Sequence, residues 1–204
     1  LPDILSRLNP RGNGIRAVPV PGTSRDWITS VQTALGPGAT VTARRKAAQS
    51  AVTTAQQLGW DDHRRAFGYY MLGRMTQNQD PLQAQQYYSS ALTYLRRTPG
   101  TDLHRAYITT QTAAFAIANG NGQDALRQIG PSLDIAARSE NAALLATLML
   151  LKAEALELTG QPESARSVRL DSLGWARYGF GSDWAVRAKM QEIASLNPQS
   201  RRKS

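Results

Sequence analysis

Apolar residues in this chain recur at helical spacing from about residue 24 to residue 198, and short polar, glycine or proline turns cut the pattern into segments. In SRDWITSVQTAL, following Thr23 and Ser24 as a cap signal, Trp27, Ile28, Val31, Ala34 and Leu35 fall on one stripe. The GPG at 36–38 ends that segment, and a second, alanine-rich helix is predicted from Thr40 to Leu58 with Gly59 as its C′ residue. Ahead of both, LPDILSRLNPRGNGIRAVPVPGT has no sustained period and reads as an extended, proline- and glycine-rich arm over 1–23.

From Trp60 onward the pattern repeats. Ala84, Ala125 and Ala165 sit in equivalent surroundings, 41 and 40 residues apart, each just after a polar turn that carries helix stop and start signals: Asp80-Pro81, Gly122-Gln123 and Gly160-Gln161-Pro162. Upstream of each alanine lies another helical segment, and two of these begin alike, DDHRRAF at 61–67 and DLHRAY at 102–107. A helical hairpin recurring about every 40 residues predicts an all-α solenoid, in which no unit buries its apolar face alone. The near-continuous apolar stretch starting AALLATLMLL at 142 is expected to be flanked on both sides, and Pro131 is expected to interrupt the second helix of the middle hairpin.

The segment MLGRMTQNQDPLQAQQYYSSALTYLRRTP, residues 71–99, carries Leu72-Gly73, then Ala84, Tyr88 and Ala91, then Pro99 at its exit. With these residues the region 60–198 resembles a tetratricopeptide-repeat protein. The other two units lack the Leu-Gly pair, and the repeat exceeds the roughly 34 residues of that family. The resemblance implies a right-handed stack of helical hairpins (TPR-like) whose first helices line a concave face that holds a peptide or partner protein. Carried onto this sequence, the groove positions are Phe67, Tyr70, Arg74 and Gln77, joined by Tyr107 and Gln111 from the next unit. The organisation expected is an arm over 1–23, a helical pair over 24–59, repeats with a capping helix over 60–198, and a basic tail over 199–204.

LDSLGWARYGFGSDW, residues 170–184, concentrates aromatic residues and glycines near the end of the chain. Repeat arithmetic predicts that the helix opened at Pro162 ends near Tyr178, with Gly179 at C′ and GFG in the turn. A last helix, capped by Ser182 or Asp183, would then face Trp184, Ala188, Ile193 and Leu196 inward. Trp175, Tyr178, Phe180 and Trp184 would close the end of the apolar core, and with Arg177 they form a possible second docking surface. A phosphate-cradling loop at YGFGS, served by Arg177 or Arg187, is the rival reading, but the glycine pattern of a dinucleotide fold follows a strand, not a helix.

Composition narrows the function classes. Without cysteine the chain has no disulfides, cysteine zinc sites or thiol chemistry. The net charge of +9 is uneven: Lys and Arg outnumber Asp and Glu by 7 to 2 over residues 1–58 and by 8 to 4 over 159–204, while 101–158 is slightly acidic. Only Arg44, Arg45 and Lys46, and Arg201, Arg202 and Lys203, cluster, which reads as a solvated helix face and a tail; polyanion contact is the alternative. His63 and His104 lie beside Asp61, Asp62 and Asp102 near two helix starts, where capping by the aspartates is expected and a metal site is not. Tyr69, Tyr70, Tyr87, Tyr88 and Tyr94 are expected to fill gaps between helices, with a stacking surface as the alternative. No Ser-His-Asp order, paired-carboxylate motif, P-loop or HExxH is present, so the expected function is non-enzymatic, a protein-interaction or scaffolding module without cofactor or metal. The alternatives are nucleic-acid or anionic-surface binding through the basic ends, and a helical accessory domain of a cell-envelope enzyme complex. The start at Leu1 and a surface rich in Gln, Thr, Asn and Ser suggest a bacterial protein of the periplasm or cell envelope after signal removal; a cytoplasmic location is the alternative.

Overall fold

A computed structural model describes residues 23–36, 38–57 and 62–199. The described residues are all-α, without strands: α1 Thr23–Leu35, α2 Val41–Gln57, α3 Asp62–Thr76, α4 Pro81–Leu95, α5 Asp102–Ala118, α6 Gly122–Arg138, α7 Ala142–Leu158, α8 Pro162–Phe180 and α9 Asp183–Ala194. The starts of α3, α5, α7 and α9 step along the chain at the predicted period, and so do those of α4, α6 and α8. The expected arm ahead of Thr23, the Gly59 stop and the basic cluster at 201–203 lie outside the described residues.

The chain divides into two compact units, residues 1–99 and 100–204. In the first, α1, α2, α3 and α4 pack consecutively. Trp27, Val31 and Ala34 follow i, i+4, i+7 spacing and are buried with Val52, Phe67, Met71 and Leu72 in one core, so α1 and α2 share the core of α3. Ile28 was expected on that stripe but is 41% exposed, because it lies one residue, about 100°, round the helix from Trp27. On α4 the predicted stripe of Ala84, Tyr88, Ala91 and Leu95 is the buried face.

In the second unit α7 packs between α6 and α8 and also touches α5 and α9. Surrounded in this way, it buries Leu144, Leu148, Leu150, Leu151 and Leu156, as its near-continuous apolar sequence requires. Ala125 and Ala165 are fully buried like Ala84, so the three repeated alanines mark the places where second helices approach closely. Pro131 does not interrupt α6, which continues to Arg138. The preceding residue is Gly130, and without a Cβ it relieves the clash that normally drives a pre-proline residue out of helical geometry.

Among the described residues five helix starts are capped by side chains that accept a backbone N–H three residues on: Thr40 from Ala43, Asp80 from Gln83, Asn121 from Asp124, Asn141 from Leu144 and Ser182 from Ala185. The buried Glu154 of α7 accepts from Arg169 of α8 at 2.8 Å and from the Asn197 amide at 3.1 Å, fastening the segment after α9 to the middle of its unit. No helix among the described residues is long and apolar enough to cross a membrane.

Candidate partner-binding surfaces

Helix α3 and the turn that follows it bring Tyr70, Arg74 and Gln77 together at i, i+4, i+7 spacing. The Tyr70 ring packs against Tyr88 at a centroid distance of 6.1 Å, and the Tyr88 hydroxyl donates to Gln77 Oε1 at 2.8 Å. Gln77 is thereby committed to holding Tyr88. Arg74 is exposed, reaches the Tyr70 hydroxyl at 3.5 Å and has no carboxylate partner among the described residues. Burial pushes the Tyr88 phenol well above its ordinary pKa, and the nearby Arg74 charge offsets part of that rise.

Phe67 does not join this surface. It is 3% exposed, because α2 covers that side of α3 so closely that a Cβ on the adjacent Gly68 would come within 2.6 Å of Val52 Cγ2. Tyr69, Tyr87 and Tyr94 form a separate cluster, with Tyr69 and Tyr94 stacked at 5.7 Å, Tyr87 tilted against Tyr69, and Arg65 over the Tyr94 ring. These three rings are half-buried between α3 and α4, while Tyr88 is wholly interior.

In the second unit Tyr107 and Gln111 share a face of α5. The Tyr107 hydroxyl accepts from the Asn141 amide at 2.6 Å, tying α5 to the N-cap of α7, and Gln111 donates to Thr110 Oγ1 at 3.1 Å. Of the aspartates expected to cap, Asp61 lies outside the described residues, and Asp102 and Asp62 do not act as N-caps. Each stands inside the first turn and pairs with the arginine three residues on, Arg105 and Arg65. His63 and His104 belong to no group of three metal-capable side chains among the described residues.

The aromatic stretch departs from its predicted frame. Helix α8 runs to Phe180, and the left-handed C′ residue is Gly181, at φ 78°. Gly179 lies inside the helix, where a Cβ would collide with the backbone nitrogen of Ala143, so its role is close approach to α7. Helix α9 starts at Asp183 with Ser182 as its cap, as expected, but the face it turns inward is that of Val186, Met190 and Ile193 at i, i+4, i+7 spacing, and Ala188 is exposed. Trp184 is 75% exposed, Tyr178 82% and Trp175 49%; only Phe180 packs against a core group, with Ala146, Ala176 and Val186. Trp175, Tyr178 and Trp184 therefore do not close the core but lie on the surface. Arg177 pairs with Asp183 at 3.4 Å, so the start of α9 already holds a carboxylate where the phosphate reading would put its ligand.

A groove of about 360 Å³ opens between α6, α7 and α8. Leu145 and Met149 of α7 form its floor with Lys152, Leu133, Asp134 and Ala137 line one wall, and Val168, Asp171 and Trp175 the other. Sequence reading missed it because its lining comes from three helices. The available signal was Lys152, a lone ammonium interrupting the apolar run of α7.

Of the first basic cluster, Arg44 donates to the Ala34 carbonyl at 3.0 Å and Arg45 to Gln79, which makes those two arginines part of the packing of the first unit.

No protein-family model, no curated protein and no solved structure matches the chain.

Proposed function

We propose that this chain is a non-enzymatic, TPR-like interaction or scaffolding module that holds a peptide or partner protein on the face of α3, with Tyr70 and Arg74 as its principal contacts. The observation that carries this reading is Arg74: an exposed guanidinium beside a half-buried tyrosine ring, with no acidic partner among the described residues. A guanidinium so placed suits a carboxylate, from an acidic side chain or a chain end, and the ring adds rigid apolar area at little entropic cost. Tyr107 and Gln111 on α5 would be secondary contacts, with Tyr107 constrained by its bond to Asn141. A periplasmic or cell-envelope location is part of the same reading, supported by a surface rich in uncharged polar residues and poor in lysine.

The test is affinity capture from nuclease-treated native extract, with three baits: the unaltered chain, Arg74→Glu, and a chain lacking residues 201–203. The expected outcome is a protein retained through a high-salt wash by the first and third baits and reduced about tenfold or more with Arg74→Glu. Retention that survives Arg74→Glu and disappears with the tail, or with nuclease, contradicts the reading.

A further inference from the structure

The groove between α6, α7 and α8 is independent of the α3 face and has a chemistry of its own. Its floor is apolar, from Leu145 and Met149, and the half-exposed indole of Trp175 stands on the α8 wall. Carboxylates face it from both walls, Asp134 on α6 and Asp171 on α8, with a single ammonium, Lys152, rising from the floor helix. None of these three charged groups takes part in an ion pair or hydrogen bond among the described residues. Neighbouring carboxylates elsewhere in the unit are engaged: Glu154 and Glu157 by Arg169, and Asp124 by Arg127.

We propose that this groove binds an extended peptide segment through one cationic side chain, arginine or lysine, flanked by aliphatic side chains. Two features converge on a cation. Carboxylates outnumber the ammonium in the groove, so an incoming positive charge improves the local balance and an incoming negative charge worsens it. Trp175 offers the aromatic face that attracts a guanidinium or ammonium most strongly. The apolar floor accounts for the flanking aliphatic side chains, and Lys152 is free to donate to a carbonyl of the bound backbone. A polyanion or acidic peptide is disfavoured, because it would bring its charge against two carboxylates to reach one lysine.

The test uses the full chain and three labelled peptides of identical sequence except at the centre: Ser-Leu-Arg-Leu-Ser, Ser-Leu-Gln-Leu-Ser and Ser-Leu-Glu-Leu-Ser, capped at both ends, with binding read by fluorescence polarisation. The proposal expects the arginine peptide to bind about fivefold or more tighter than the glutamine peptide, the glutamate peptide weakest, and the preference to weaken with added salt. Asp134→Asn with Asp171→Asn should abolish the preference while leaving the circular dichroism spectrum unchanged, since both side chains are exposed. Trp175→Ala should weaken all three peptides. Equal affinity for the three, tighter binding of the glutamate peptide, a preference that survives loss of both carboxylates, or no binding at millimolar peptide would each overturn it.

Discussion

Gly73 lies directly beneath the Tyr88 ring: a Cβ built on Gly73 would stand 2.6 Å from Cε1, 2.8 Å from Cδ1 and 2.9 Å from Cζ of that tyrosine. The tyrosine cannot swing away, because its hydroxyl is anchored to Gln77 and its ring is wholly buried. The absence of a side chain at one position thus sets how closely α3 and α4 approach.

Gly73→Ala should therefore lower the stability of the first unit, even though alanine favours helix. Overpacking costs about 1–3 kcal/mol, against a gain of about 1 kcal/mol in helix propensity. The expected net loss is about 1 kcal/mol, measurable by urea denaturation. Gly179→Ala is expected to cost more, about 3 kcal/mol, because the atoms it meets are the backbone of Ala142 and Ala143, which cannot rotate aside. Equal, negligible effects from both would show that the helices are not held at these separations.

Alkaline pH should destabilise the fold through Tyr88. Its phenol is raised by burial, so the folded state holds this proton more tightly than the unfolded state does. The stabilisation is fully present below the unfolded-state value of about 10 and is lost as pH rises from there towards the folded-state value. Melting temperature against pH should fall above about pH 10, and Tyr88→Phe should remove most of that slope while lowering stability at neutral pH through the lost bond to Gln77.

Glu154 anchors a buried polar network, and breaking it from the partner side should be costly. Arg169 donates to both Glu154 and Glu157; its partial burial pulls its pKa down, and the two carboxylates more than reverse this, so the guanidinium stays charged. Arg169→Met leaves Glu154 with only the Asn197 amide and should cost about 3 kcal/mol. Asn197→Ala should cost less and loosen the segment after α9 first, visible as faster hydrogen exchange over residues 195–199.

Tryptophan substitutions separate interior from surface. Trp27→Ala, from the core of the first unit, is expected to cost about 3–5 kcal/mol. Trp184→Ala, at an exposed position, should change stability by no more than about 0.5 kcal/mol. A large loss at Trp184 would restore the core-closing role that the surface position denies it.

Much of the architecture was legible because it is written in local signals. The alanines at 84, 125 and 165 and the turns ahead of them fix helix starts, and each start depends on a few adjacent residues. The end of α8 was not legible in that way. Gly179, expected at C′, and Gly181 look alike in sequence, and contact with Ala143 decides which remains helical. Trp184 and Ala188 were misplaced for a separate reason: they share one face of α9, and the core takes the face of Val186, Met190 and Ile193 instead. Phe67 misled for a related reason, since the helix that covers it belongs to a segment with a different pattern. Helical spacing puts Tyr70 and Arg74 on one face, although it was the family resemblance that singled them out; the groove beside Trp175 was not legible, since no single segment carries it.

The most direct test of the proposed partner face is photo-crosslinking from position 70, Tyr70→p-benzoylphenylalanine, against the same residue placed at Thr93, an exposed position on α4. The account predicts one dominant protein adduct from position 70 that persists after nuclease and in high salt, is absent from position 93, and is lost when Arg74→Glu is added. No adduct from position 70, equal adducts from both positions, or adducts that vanish with nuclease would contradict it.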